Sequence, residues 1–278
     1  MSHTDADADV DARTTPGATG DPTDRAVRAF ADGEPVLVHD AADRESETDV
    51  LYPAEAVDHE AVVRLRADAG GLVFVALPAA VADAFELPFR HEAVDHPAVA
   101  FDDLAYDARP SFSLTVNHRD TYTGITDRDR ARTVRALGRA AADPAGTEFA
   151  AEFRSPGHVH LLRAAPGLLA DRQGHTELGV ALALAAGTGG AVTGAEMLDA
   201  DTGGALSPAD ARAYADEHDL VYVEGSALVD RGTGRGDRQR SLRWRHSVRA
   251  WRHSRRWTST RSGWTGSSST GRRPRYTC

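Results

Sequence analysis

Residues 172–187 read RQGHTELGVALALAAG, a polar turn followed by an apolar run rich in small residues. The run predicts a helix over Glu177–Ala186, and Gly187 is a common residue at the end of a helix. Because small side chains let a helix approach its neighbours closely, we expect this helix to pack tightly in the core. Its apolar positions include Leu178, Val180, Ala181, Leu182 and Leu184.

Predicted strands and helices are interspersed on both sides of this helix, without a strict βαβ rhythm. Short apolar or alternating runs predict strands at Pro35–Val38, Leu72–Leu77, Phe112–Val116, His158–Leu162, Val192–Leu198 and Leu220–Val223. Helices are predicted at Thr23–Phe30, capped by Thr23 or Asp24, and at His59–Ala69, Asp127–Arg139 and Ser207–His218. The pattern favours the α+β class, a single-domain α/β sandwich of mixed sheet and helices, over a doubly wound sheet.

Composition indicates a soluble protein with an acidic surface. The 278 residues carry a net charge of −10 and include no lysine, which is typical of a halophile or of a GC-rich genome. The N-terminus lacks the features of a secretory signal, and no apolar run reaches the ~20 residues that a membrane helix needs. The single cysteine, Cys278, excludes a disulfide framework or a cysteine zinc site. We therefore expect a cytoplasmic protein that does not enter a membrane.

The two ends differ in character from the rest of the chain. Residues 1–22 are acidic and lack periodicity, so we expect a disordered leader before a domain at 23–230. Residues 231–278 hold 14 arginines, all four tryptophans and a single acidic residue. One interpretation is a nucleic-acid-binding arm. Another is out-of-frame translation of a GC-rich gene, and the abrupt change in composition favours it. In either case we expect a disordered tail, and nucleic acid is not the expected partner.

The acidic stretch DRESETD at 43–49 places four carboxylates and one guanidinium in seven residues. Such crowding is unfavourable unless a cation or a substrate compensates it, and oxygen-rich ligand sets suit Mg²⁺. Taken alone, in so acidic a chain, the stretch is better explained as a solvated charged loop.

Further polar segments are each open to two interpretations, a functional site or an ordinary structural feature. Arg172–Glu177 precedes the small-residue helix and offers an arginine, a glycine and a hydroxyl to a phosphate, or simply a helix cap through Thr176. His175 there is able to bind a metal or to move a proton. Residues 123–130 are either an anion site or a helix cap at Thr126 or Asp127. Glu196 is a lone acid in an apolar run, where carboxylates usually have a partner or a function.

Together these segments resemble 3,4-dihydroxy-2-butanone 4-phosphate synthase, which supplies the four-carbon unit of riboflavin. Asp43–Asp49 matches five of the seven positions of the family's Asp-Arg-Glu-Asn-Glu-Gly-Asp loop. Thr123–Arg130, Arg154–His158 and Arg172–Glu177 correspond to three further signatures, and an acid follows in a strand at Glu196. Motif order and spacing agree from about residue 23 to residue 230.

The resemblance implies a lyase that converts D-ribulose 5-phosphate to L-3,4-dihydroxy-2-butanone 4-phosphate and formate, in a homodimer with sites at the interface. It implies Glu45 and His175 as ligands of Mg²⁺ (or Mn²⁺), and His158 and Glu196 as catalytic residues. Because a carboxylate near the metal is well placed as a general base, we also expect Asp49 to be catalytic, with Glu47 as the alternative. The substrate-binding residues that it implies are Arg44, Glu45, Asp49, Arg172, Gln173, Gly174, His175, Thr176 and Glu196.

The chain departs from the family pattern at three positions. Thr48 replaces a glycine, so we expect strain if that position needs a positive φ. Gln173 replaces a proline, and Phe74 stands where many relatives have a cysteine. We expect a haloarchaeal-like member of the family. We also expect it to be monofunctional, because the tail is too short for a fused GTP cyclohydrolase module and lacks its zinc cysteines. The alternatives to the lyase are a nucleic-acid-binding protein acting through the tail and a different metal-dependent phosphosugar isomerase or aldolase.

Overall fold

A computed structural model describes residues 20–40, 46–99 and 109–233. Its centre is one mixed sheet of seven strands in the order β4-β5-β3-β6-β2-β1-β7. The β1–β7 and β3–β5 pairs are parallel, and the other neighbours are antiparallel. This mixed sheet with helices confirms the predicted α+β class. The strands are β1 Val36–His39, β2 Thr48–Pro53, β3 Phe74–Leu77, β4 Phe112–His118, β5 Phe153–Arg163, β6 Val192–Glu196 and β7 Val221–Glu224.

Helices cover both faces of the sheet and divide the core in two. On one face α7 packs with α1 and α9, and on the other α2 packs against α5. The central helix α7 is buried almost all round, which explains its small apolar residues. The helices are α1 Pro22–Ala31, α2 His59–Arg64, α3 Ala79–Ala84, α4 Arg90–Ala93, α5 Asp127–Ala142, α6 Phe149–Glu152, α7 His175–Ala186, α8 Pro208–Glu217 and α9 Gly225–Thr233.

Strand β2 is absent from the set of strands that the sequence predicts. This strand starts inside the acidic stretch, at Thr48, and pairs with both β1 and β6. All six of its residues are buried, since both faces of the sheet are covered by helices. An acidic start hides the strand from a search for apolar runs. The helices α3, α4, α6 and α9 are likewise additions to the predicted set.

Several element ends differ from the prediction. Helix α1 begins at Pro22 and is capped by Asp21, whose carboxylate accepts from the Thr23 N–H, because proline fits the first helical position. The predicted helix His59–Ala69 is α-helical only to Arg64 and then forms a π turn. Within the described ranges, no helix is long and apolar enough to cross a membrane.

At the C-terminal side, α9 continues to Thr233. The Arg231 guanidinium in this helix pairs with Asp21, the N-cap of α1, and with Asp24 in the first turn of α1, at 2.9 and 2.6 Å. The expectations for the leader and for the tail concern mainly residues 1–19 and 234–278, which lie outside the described residues.

Candidate active site

The structure describes only the second half of the acidic stretch, residues 46–49. Arg44 and Glu45 lie outside the described residues, so the roles implied for them stay predictions. Two hydrogen bonds join the two ends of the segment between β1 and β2. The Asp40 N–H donates to the Glu47 carbonyl at 3.0 Å, and the Glu47 N–H donates to the Asp40 carboxylate at 3.2 Å. The chain then turns directly into β2, which brings Asp49 into the sheet.

Asp49 is a fully buried carboxyl at the centre of the sheet. It lies opposite Glu196 in the antiparallel β2–β6 pair, so both side chains project from the face that α7 covers. Neither Asp49 carboxylate oxygen has a hydrogen-bond partner among the described residues. Burial raises the pKa of Asp49 to about 8; the nearby His175 opposes this effect, while Glu196, Glu47 and Asp40 add to it. A buried carboxyl held in this state is typical of a functional site.

Glu196 is held by the turn between α2 and β3. The Leu72 N–H donates to its Oε2 at 2.8 Å, and the Gly71 N–H donates to its backbone carbonyl at 3.0 Å. A Cβ on Gly71 would lie 2.5 Å from the same Oε2 atom, which is closer than real contacts allow. Gly71 is therefore needed for this close approach, and the prediction that Glu196 has a partner is confirmed.

His175 stands on the first turn of α7, above the middle of the sheet. Its ring lies 5.4 Å from that of Phe74, centroid to centroid, at a tilt of 32°. Gly174, not Thr176, is the N-cap of the helix, and no side chain caps it. The Thr176 hydroxyl is instead buried without a hydrogen-bond partner in the described chain. This helix end thus combines N–H groups without a side-chain cap, a buried hydroxyl and the positive end of the helix dipole.

Arg172 lies beside this helix end and is paired with a buried acid. Its guanidinium contacts the Glu177 carboxylate at 2.5 Å, and the other Glu177 oxygen accepts from the Ala165 N–H at 2.8 Å. A Cβ on Gly174 would lie 2.5 Å from Arg172 Nη1, so glycine makes room for the guanidinium there. Gln173 is exposed, and its amide donates to the Leu169 carbonyl at 3.4 Å.

His158 lies apart from these groups, on β5. Its backbone N–H donates to Asn117 Oδ1 at 2.9 Å, and its ring Nδ1 lies 3.2 Å from Asn117 Nδ2. The described contacts of the His158 side chain are with β4 and not with Asp49, Glu196 or His175. The structure thus brings Asp49, Glu196 and His175 together, while His158 lies elsewhere in the same chain.

The structure corrects one expectation from the sequence and favours one of two alternatives that the sequence left open. Thr48 has no positive φ: it is an extended strand residue, and Ser46 is the position with φ 55°. The Thr48 hydroxyl is buried on the face opposite Asp49 and lies 3.2 Å from His39 Nδ1, so the expected strain is absent. Near residue 124, the Asp129 carboxylate accepts from the Gly124 N–H at 2.9 Å, and Thr126 caps α5, which favours the capping interpretation over an anion site.

Sequence reasoning missed the groups that position the site. Gly71, Leu72 and Asn117 received no role, since their contacts join segments far apart in the chain. Within the described ranges, no group of three or more acidic, histidine or cysteine side chains is arranged to hold a metal ion. Glu45, one of the two implied metal ligands, lies outside those ranges.

Comparisons with known proteins agree on one family. Residues 24–231 match the family model for 3,4-dihydroxy-2-butanone 4-phosphate synthase. The chain is 45% identical over 219 residues to the synthase of Archaeoglobus fulgidus, covering 74% of this chain and 92% of that protein. It is also 45% identical to the synthase of Methanosarcina mazei, of which 89% is covered. The fold superimposes with a TM-score of 0.66 and 27% identity on a synthase crystallised with two magnesium ions, covering 77% of this chain and 99% of that one.

Proposed function

The chain belongs to the 3,4-dihydroxy-2-butanone 4-phosphate synthase family. We propose which of its residues bind the substrate, hold the metal ion and transfer protons. The protein is a lyase of riboflavin biosynthesis that converts ribulose 5-phosphate to 3,4-dihydroxy-2-butanone 4-phosphate. The comparisons give no support to a nucleic-acid-binding protein or to another phosphosugar enzyme. The observation on which the assignment of roles rests is the pair of carboxyls, the buried Asp49 and the partly buried Glu196, which lie opposite each other on the sheet face that α7 covers.

The phosphate of the substrate binds at the N-terminus of α7 in this proposal. Arg172 supplies the charge, the Thr176 hydroxyl and the first N–H groups of the helix supply donors, and Gly174 allows close approach. Glu177 limits the positive charge of Arg172 and directs its guanidinium. Gln173 completes the binding turn, and Arg44 and Asp49 contact the hydroxyl groups of the sugar.

A divalent cation fits the charge of this site. Burial raises the pKa of Asp49, and the nearby Glu196 and Glu47 carboxylates add to this effect, so a cation would relieve the repulsion at Asp49. We propose His175 and Glu45 as the ligands of Mg²⁺ or Mn²⁺. When bound, the cation polarises the carbonyl and hydroxyl oxygens of the substrate and stabilises the negative charge that develops on them. A related synthase has been crystallised with two magnesium ions.

The proton transfers are assigned to the acidic pair and to His158. Asp49, in its deprotonated form, is the general base that removes the proton from C3 of the substrate. Its raised pKa makes this carboxylate a stronger base than one on the surface, and the charge of a bound cation would favour the deprotonated form. Glu47 is the neighbouring alternative. The Leu72 N–H positions the Glu196 carboxylate, which donates and accepts protons in the later steps. The carbon that leaves is released as formate.

His158 is proposed to act in a homodimer. It is exposed on β5, and its described side-chain contacts lie away from Asp49 and His175 within the same chain. A site shared between two copies would bring the His158 of one copy to the acidic pair of the other. We further propose that the enzyme is cytoplasmic and adapted to high salt. Its catalytic domain spans residues 23–230, and neither the leader 1–22 nor the tail 231–278 takes part in catalysis.

The test is formate release from ribulose 5-phosphate and Mg²⁺ at high salt. Glu196→Gln and His175→Ala should each lower kcat by ~100-fold or more, the range typical of lost acid–base or metal chemistry. Glu217→Gln, on the exposed side of α8, is the matched control and should keep wild-type activity. Full activity in Glu196→Gln would refute the role of the pair, and unchanged metal affinity in His175→Ala would refute the ligand assignment.

A further inference from the structure

Asn117 is the only asparagine in the 278 residues, in a chain with 42 aspartates and glutamates. It lies on β4, and its side chain is 4% exposed. Aspartate has the same shape as asparagine and is abundant here, but it lacks the amide donor. The sole asparagine therefore stands where a buried group must accept and donate at once.

The contacts of Asn117 fix the orientation of its amide. Its Oδ1 accepts from the His158 backbone N–H at 2.9 Å, which only an oxygen is able to do. Its Nδ2 donates to the Thr123 carbonyl at 3.4 Å, which only the NH₂ group is able to do. One amide hydrogen is left for the His158 ring, whose Nδ1 lies 3.2 Å from Nδ2 and 3.3 Å from Oδ1.

Two glycines make room for this contact. Gly124 has φ +85°, and a Cβ there would lie 2.0 Å from Asn117 Nδ2. A Cβ on Gly157 would lie 2.0 Å from the backbone of Val116, where the β4–β5 pairing shifts register. Because neither position carries a side chain, the Asn117 amide has room to contact both the Thr123 carbonyl and the His158 backbone.

We propose that Asn117 is the positioning residue of His158. Its amide N–H donates to Nδ1 of the ring, so that the proton of the neutral imidazole is on Nε2, the nitrogen turned away from Asn117. The ring is thereby presented as a proton donor of fixed orientation at the exposed surface of β5. The inference rests on the proposed function, in which His158 acts in the reaction.

The first test reads the tautomer and needs no activity. In ¹⁵N-histidine-labelled protein at about pH 8.5, well above the ordinary imidazole pKa, the ring nitrogens of His158 are assigned by comparison with His158→Gln. We expect the proton on Nε2 in the wild type and on Nδ1 in Asn117→Asp, since a carboxylate accepts but does not donate. Thr115→Val, which removes only the acceptor of the Gly157 N–H, is the control and should keep the wild-type tautomer. A wild-type proton on Nδ1, or the same tautomer in Asn117→Asp as in the wild type, overturns the proposal.

The second test separates positioning from a structural role. Asn117→Asp should lower kcat ~10-fold or more with KM changed less than ~2-fold, and it should cost nothing further in a His158→Gln background. An equal loss in both backgrounds would mean that Asn117 acts through the fold, and the inference would be wrong. If His158→Gln alone kept full kcat, the catalytic role of His158 would fail, while the tautomer measurement would still decide the role of Asn117.

Discussion

Replacing Asp49 by asparagine should make the protein more stable while it destroys activity. The Asp49 carboxyl is fully buried with no described hydrogen-bond partner, and its pKa of about 8 lies well above the ordinary value of 3.8. Between these two values the unfolded chain loses a proton that the folded chain keeps. The folded state is therefore penalised as the pH rises through this window, and a neutral isostere removes the penalty.

The size of the effect follows from the two pKa values. One pH unit is equivalent to about 1.4 kcal/mol, so the gain of Asp49→Asn over the wild type should be about 2 kcal/mol at pH 5 and about 4 kcal/mol at pH 7. It should level off above about pH 8, where the folded carboxyl also ionises. Since asparagine accepts no proton, kcat should fall by ~100-fold or more.

The assay is urea unfolding of both proteins in chelator at constant high salt, from pH 5 to pH 9. Asp129→Asn is the control of opposite sign, because the Gly124 N–H lowers the pKa of Asp129 and its loss should destabilise the protein above about pH 4. A stability difference between Asp49→Asn and the wild type that does not change with pH, or a loss of stability, would refute the reasoning.

Three further predictions concern the surroundings of the site. Gly71→Ala should lower kcat ~10-fold or more in the formate assay, because the added methyl group displaces the Glu196 carboxylate; wild-type kcat in a folded variant would contradict this. Thr48→Val should cost about 1–3 kcal/mol in urea unfolding, since it leaves the buried His39 ring without the hydroxyl at 3.2 Å; an unchanged midpoint would show that the contact is dispensable. Deleting 234–278 should leave kcat and KM unchanged, because α9 and the family match both end before this segment; lost activity in a folded protein would give the tail a role.

The order of motifs in the sequence was enough to identify the family and the fold class. Each motif is a local event: a glycine before a helix, an acidic stretch after a strand, a lone acid in an apolar run. Such features can be predicted from the sequence because helix ends and strand patterns depend on residues close together in the chain. Helix α7 is the clearest case, since its small apolar residues predicted both its existence and its burial.

Strand β2 shows where local reasoning stops. Thr48 and Asp49 belong to the acidic stretch by composition, but they become strand residues because β1 and β6 lie on either side of them. The partners of a strand are distant in sequence, so no local pattern reveals that Asp49 is buried. For the same reason a charge cluster that looks solvated contains a carboxyl whose pKa is raised to about 8.

The sequence by itself therefore determined the chemistry that is available: the acids, histidines and arginines of a phosphosugar lyase, in order along the chain. Only the tertiary structure decided which of them meet. It placed Asp49 opposite Glu196 and near His175, set Gly71 against Glu196, and joined Asn117 to His158. These contacts arise because sheet pairing brings together residues that are far apart in the chain, and burial there changes the proton affinity of the groups that it surrounds.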